Sequence, residues 1–192
     1  MIAEAIAPLI MPHLYTEAEY LALEEKAETK HELVRGNLID MAGESLIANE
    51  IALNLALFLK TQLRGQPFRV FNHDVKLRIT EDRDYRYPDV MVMPKGGQLG
   101  THLVGSALLT AEITSDNSYK TDTVDKLHEY TALESLQCYL VVSQNEPLVY
   151  MYERTTDPKK WFFTHYTNLA DTFTISTLNL TLSLSDIYEG VF

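Results

Sequence analysis

Two acidic side chains stand inside apolar runs of strand length: Asp89 in Tyr87-Pro88-Asp89-Val90-Met91-Val92-Met93, and Glu112 in Leu108-Leu109-Thr110-Ala111-Glu112-Ile113-Thr114. A carboxylate in such a run is costly to bury unless a positive charge compensates it. The two lie 23 positions apart (112 − 89), enough to place them on neighbouring strands of one sheet and let them share a divalent cation. Carboxylate and carbonyl oxygens are the donors that Mg²⁺ prefers. Asp89, Glu112 and the backbone carbonyl of Ile113 therefore form a candidate Mg²⁺ or Mn²⁺ site. Pro88 has no N–H to donate and fits a strand start, an edge or a bulge, which aims Asp89 in a defined direction.

Further along, Asp122, Lys126 and Tyr130 are spaced by four, which puts them on one face of a helix. With that face toward the strand ends, Lys126 brings a cation to the carboxylates and Tyr130 a hydroxyl donor. An ammonium there steadies negative charge developing on a phosphate. Asp122 and Lys126 also read as a surface ion pair worth roughly 0.3 kcal/mol.

The elements that must position these groups are visible in the pattern. Thr16-Glu17-Ala18-Glu19 is a capping box opening a first short helix. Glu32–Arg35 and Leu38–Met41 flank Gly36-Asn37 as a tight hairpin. From Ser45 to about Leu63, Ile47, Ile51, Leu55, Phe58 and Leu59 recur every three or four residues, an amphipathic helix lying on a sheet. Strands are predicted at Phe68–Phe71, Asp74–Ile79, Arg86–Met93 and Ala107–Thr114, then a helix over 121–133. Gln137–Val142 and Leu148–Tyr152 make a second hairpin, and the tail alternates polar and apolar residues. That order predicts a mixed sheet with helices packed against it. Trp161, Phe162 and Phe163 are read as core because aromatics carry large buried area.

At 192 residues the chain is most simply one domain over 15–192, preceded by an N-terminal leader, 1–14. Its net charge of −11 argues against a general nucleic-acid coating protein, which needs excess Lys and Arg, though not against a locally basic groove. The single cysteine, Cys138, reads as a buried thiol, and six scattered histidines make no Cys/His zinc pattern. The first eleven residues carry Glu4 and no Lys or Arg, unlike a signal peptide, and no apolar run is long enough to span a membrane. A cytoplasmic protein with no membrane partner is expected.

Taken in order, a set of pieces resembles a family. They are Glu32-Leu33-Val34-Arg35-Gly36, Asn49, Asp74, Tyr87-Pro88-Asp89-Val90, Glu112 with Ser115, and Asp122 with Lys126 and Tyr130. Tyr139-Leu140-Val141-Val142 and Leu184-Ser185-Asp186-Ile187-Tyr188 complete the set. From about Thr16 to the C-terminus the chain resembles the Uma-like restriction endonucleases of the PD-(D/E)XK nuclease superfamily. The resemblance implies an α/β, restriction-endonuclease-like fold: a central mixed β-sheet flanked by α-helices. It implies a Mg²⁺- or Mn²⁺-dependent endonuclease hydrolysing phosphodiester bonds in DNA, with Asp89, Glu112 and Lys126 catalytic. Glu32, Asp74, Asn49, Ser115, Asp122 and Tyr130 support them, Glu32 as a third acidic ligand rather than a solvated strand-end residue.

Three positions depart from the family pattern. Thr114 stands where the superfamily has its lysine, so Lys126 is the natural substitute and Lys76 the second candidate. Ala48 stands where relatives often have histidine, and Asp116 replaces the usual proline. These departures and the charge of −11 leave an alternative: a catalytically inactive nuclease fold acting as a binding or assembly module. An enzyme cutting both strands of a duplex is expected to pair two sites as a homodimer.

Overall fold

Strands buried on both faces carry no polar alternation, and the runs around Asp89 and Glu112 have that character. In the computed structural model, which describes residues 13–41, 43–79, 84–97, 100, 102–116 and 118–192, they lie side by side in one sheet. Residues 1–12 of the expected leader lie outside the described residues.

The chain begins with α1 (Glu17–Glu24), the hairpin strands β1 (His31–Val34) and β2 (Asn37–Asp40), and the long helix α2 (Leu46–Gln62). Six strands follow: β3 (Phe68–Asn72), β4 (Lys76–Arg78), β5 (Tyr85–Arg86), β6 (Val90–Pro94), β7 (Leu103–Val104) and β8 (Leu109–Thr114). A π-helical turn, Thr121–Asp125, leads into α3 (Lys126–Ala132). Then come β9 (Cys138–Ser143), β10 (Val149–Arg154), β11 (Trp161–Tyr166), β12 (Thr172–Ile175), β13 (Leu180–Ser183) and α4 (Leu184–Ile187).

The central sheet is mixed and six-stranded, in the order β11-β10-β9-β8-β6-β3. Its β8–β9 pair is parallel and β6–β8 antiparallel. A smaller sheet runs β2-β1-β5-β4-β7, and β12 pairs with β13. Helix α2 lies on one face of the central sheet. Ile51, Leu55 and Leu59 are fully buried there against Val90, Val92, Leu109 and Ala111, each stabilising by roughly 2 kcal/mol. Ser45 caps this helix by accepting the Ala48 N–H at 3.0 Å. On the opposite face Tyr130 of α3 packs with Met91, Met93, Tyr139 and Val141.

The predicted strand Arg86–Met93 is divided. Arg86 ends β5 in the small sheet and Val90 starts β6 in the central one, so Tyr87-Pro88-Asp89 is the bridge between sheets. Pro88 has no N–H to give a ladder, which is why the strand breaks there. The hairpin turns one residue earlier than expected: Val34 pairs with Asn37, leaving Arg35 (φ 51°) and Gly36 (φ 80°) at the turn. A two-residue turn with positive φ at both positions matches the twist of its strands. The reading of Phe162 and Phe163 as core is corrected, while Trp161 is partly buried against the core. All three lie on β11, the sheet's last strand, where Phe162 and Phe163 are exposed and Trp161 carries the Arg154 guanidinium over its ring. Cys138 is buried, as expected.

Candidate active site

The antiparallel register pairs Val90 with Ala111, so one step along each strand brings Asp89 beside Glu112. Asp89 Oδ2 accepts the Ile113 N–H at 2.6 Å, tying the carboxylate to the neighbouring strand. Glu112 accepts from both sides of the α3 face: Lys126 Nζ donates to Oε2 at 2.7 Å and Tyr130 Oη to Oε1 at 2.6 Å. Lys126 also lies 3.4 Å from Asp122 Oδ1 and 3.8 Å from Glu32 Oε1. The four-residue spacing thus turns inward, and all three side chains are buried rather than forming a surface pair.

Glu32 is held in place by a second group. Arg86, 2% exposed, donates to Glu32 Oε2 at 2.5 Å and makes a two-pronged contact with Glu129 at 2.7 and 2.9 Å. The Tyr87 N–H donates to Glu32 Oε1 at 3.3 Å. Neither Arg86 nor Glu129 was among the expected residues. Their signal is their place in sequence, one beside the Tyr87-Pro88-Asp89 bridge and the other three residues after Lys126.

A cleft of about 530 Å³ opens onto Glu32, Asp89, Glu112, Ser115, Asp122 and Lys126. Five of the supporting residues divide between this cleft and a second one of about 650 Å³, lined by Asn49, Asp74, His73 and Glu44. Asp74 pairs with Lys30 at the surface, and it and Asn49 line the second cleft but not the first. Lys76, the alternative cation, is 3.7 Å from Glu24 and over the rings of Tyr20 and Tyr87, so it does not serve Glu112. Thr114 bonds the Ser118 hydroxyl at 3.1 Å, and Asp116 is held by Asn145 at 2.9 Å. Ala48 leaves α2 without a ring at that position, but an imidazole does stand nearby. His73 Nδ1 is 2.8 Å from Glu44 Oε1 and 3.8 Å from Asp89 Oδ1. Neither Glu44 nor His73 was foreseen, since Asn72-His73-Asp74 reads as an ordinary polar turn.

Burial dominates the electrostatics. It pushes Asp89 up to about 7, against the Ile113 N–H and the Lys126 charge. It holds Glu112 well above the usual carboxylate range, with Lys126 opposing. Burial also disfavours the Lys126 ammonium, but Glu112, Glu32 and Asp122 outweigh it and leave the lysine above its ordinary value. Three carboxylates, Glu112, Asp122 and Glu32, share the Lys126 ammonium with Asp89 beside them, and Arg86 is divided between Glu32 and Glu129. Such a set takes up either protons or a cation. Each Glu112 oxygen accepts one hydrogen bond and keeps a lone pair for a ligand. Hard oxygen donors with surplus negative charge fit a Mg²⁺ or Mn²⁺ ion.

Residues 17–185 match the family model described as Uma2: Putative restriction endonuclease. The chain belongs to this family. It is 33% identical over 154 residues to the uncharacterized protein sll1609 of Synechocystis sp. (strain ATCC 27184 / PCC 6803 / Kazusa), covering 79% of this chain and 86% of that one. A second uncharacterized Synechocystis protein, slr1290, is 27% identical over 175 residues, 90% of each chain. The fold is similar to the crystal structure of a putative nuclease belonging to DUF820 from Anabaena variabilis ATCC 29413. The TM-score is 0.72 at 16% identity, covering 91% of this chain and 98% of that one. The restriction-endonuclease-like architecture expected above is therefore the observed one, and the family is one of nuclease-like proteins.

Proposed function

We propose that this chain is a Mg²⁺- or Mn²⁺-dependent endonuclease that hydrolyses phosphodiester bonds in DNA, working as a cytoplasmic homodimer from one domain over 15–192. The observation that carries the reading is the excess of carboxylates around Lys126, with Asp89 and Glu112 side by side at the head of the cleft. Asp89, Glu112 and the Ile113 carbonyl hold the cation. When bound, it supplies Lewis acidity that polarises the scissile phosphate and acidifies an attacking water.

The remaining work falls to the chain's own groups. Lys126 stays protonated and aims its ammonium at Glu112, close to where a non-bridging phosphate oxygen acquires charge. Tyr130 fixes the Glu112 carboxylate from the other side, so its orientation does not depend on the lysine alone. Arg86, itself held by Glu129, fixes Glu32 and with it the acidic wall opposite. A bound cation would offset part of the repulsion between a polyanion and a chain of net charge −11, so metal should aid substrate binding as well as chemistry.

Supercoiled-plasmid nicking tests the reading. Wild type should nick with Mg²⁺ or Mn²⁺ and be silent in chelator, while Asp89→Asn and Glu112→Gln should each lose at least about 100-fold in rate. A wild-type protein that binds cation and cuts no nucleic acid is the binding module instead. Light scattering at micromolar concentration checks the dimer; a particle of one chain's mass, 21.9 kDa, counts against it.

A further inference from the structure

Asp89 has two oxygens and they face different partners. Oδ2 is taken by the Ile113 N–H on the Glu112 side, while Oδ1 looks toward His73. Asp89 and Glu44 line both clefts, whereas His73 lines only the second and Glu112 only the first. Among the described residues, Glu44, His73 and Asp89 form the one group of three or more such side chains whose ligand atoms all lie within 4.8 Å of one another. We infer that Glu44, His73 and the Oδ1 side of Asp89 form a second cation site, one that takes a borderline transition ion of the Zn²⁺ class. It shares only Asp89 with the proposed catalytic site.

The donor chemistry sets the class. An imidazole with two carboxylates suits Zn²⁺ and its neighbours, whereas Mg²⁺ keeps to oxygen donors. Tetrahedral ligands at about 2.1 Å from an ion stand about 3.4 Å apart. The observed separations from His73 Nδ1, 2.8 Å to Glu44 and 3.8 Å to Asp89, bracket that value. Three protein ligands leave a fourth position open toward the cleft, the pattern of reactive rather than closed zinc sites.

The backbone supports the same arrangement: His73 is held at φ 44°, with its N–H donating to the Asp89 carbonyl at 2.9 Å. That hydrogen bond delivers the ring to Asp89 whatever the solvent does.

Calorimetric titration of the full-length protein with Zn²⁺ and, separately, Mg²⁺ tests the inference on wild type, His73→Asn, Glu44→Gln and Glu112→Gln. Asparagine suits His73 because it tolerates positive φ. Removing even an outer-sphere partner of a metal typically costs 10–100-fold in affinity, so loss of a ligand should weaken Zn²⁺ binding more than about 100-fold in His73→Asn and Glu44→Gln. Glu112→Gln should keep the Zn²⁺ site, and Mg²⁺ binding should be unaffected by His73→Asn. Co²⁺ in place of Zn²⁺ should show visible ligand-field bands that His73→Asn abolishes. Zn²⁺ binding that ignores His73 and Glu44, or that vanishes only with Glu112, overturns the second site and leaves the proposed nuclease site standing. A Zn²⁺ site lost with His73, alongside Mg²⁺ binding indifferent to Glu112, does the reverse.

Discussion

Among the described residues two lysines are buried, and they live in opposite surroundings. Lys76 on β4 faces one carboxylate, Glu24, at 3.7 Å, and lies over the rings of Tyr20 and Tyr87. Lys126 on α3 faces Glu112, Asp122 and Glu32. Burial lowers the pKa of Lys76, with Glu24 opposing, whereas at Lys126 the three carboxylates overcome burial and raise it. Both lysines have a tyrosine sharing the carboxylate: Tyr87 donates to Glu24 at 2.7 Å, and Tyr130 to Glu112 at 2.6 Å. Two triads of the same residue types therefore differ in charge balance. One lysine with one carboxylate is complete as it stands. One lysine with three, and Asp89 beside them, is short of positive charge and opens onto a cleft. Charge balance, more than residue type, separates the structural cluster from the candidate site.

The largest expected contrast is in the stability of the metal-free protein. Glu24→Gln leaves Lys76 buried without its carboxylate and should cost about 3 kcal/mol, because breaking a buried pair by removing one partner strands a charge. Glu112→Gln removes one charge from a group with too many and leaves Lys126 with Asp122 and Glu32. It should therefore match or exceed wild type. Urea denaturation in chelator measures both. Equal losses in the two variants would erase the distinction between the clusters. Mn²⁺ should raise the melting temperature of wild type and Glu24→Gln but not of Glu112→Gln.

A smaller contrast concerns the lysines. Lys126→Met should slow metal-dependent cutting by about 100-fold, the usual effect of losing one group that stabilises developing charge. It should leave cation binding largely intact. Lys76→Met, a change of similar volume outside the cleft, should leave the rate unchanged. Single-turnover nicking with each variant decides it, and equal slowing would assign catalysis to neither lysine.

Much of this was legible in the sequence, and the part that was not has a common cause. Spacings within one element carried over: the helix α2 follows the apolar repeat that starts after Ser45, Thr16 and Glu19 form the capping box, and Asp122, Lys126 and Tyr130 share one buried face. Asp89 just ahead of one strand and Glu112 within the strand that pairs with it follow from Pro88 and from apolar runs that only a buried sheet accommodates. What the sequence hid depends on contacts between elements. Nothing local says that Asn72-His73-Asp74 turns back onto Asp89, that Glu44 meets His73, or that Arg86 is shared by residues of β1 and α3. The strand break at Tyr87-Pro88-Asp89 was half legible, because proline marks a discontinuity but not that its two sides join different sheets.

A last contrast is a pH dependence whose sign differs between the two regions. In the metal-free protein Asp89 titrates near 7, raised chiefly by burial, against about 3.9 in an unfolded chain. A raised carboxylate binds its proton more tightly when folded, so its contribution to stability is full below about pH 4 and is lost as pH rises through 7. Lys76 behaves oppositely: its lowered pKa means the unfolded chain holds the proton more tightly, so its contribution to stability improves as pH climbs toward 10.5. Asp89→Asn should therefore flatten the decline in stability between about pH 4 and 7 and leave the alkaline limb as it is. Saturating Mn²⁺ should flatten the same decline in wild type, since an ion on Asp89 favours the ionised form that burial resists. Melting curves from pH 4 to 10 with and without Mn²⁺ read all three effects. A decline that survives Asp89→Asn would place the titrating group elsewhere in the carboxylate cluster, with Glu112 the next to test, because burial raises it as well.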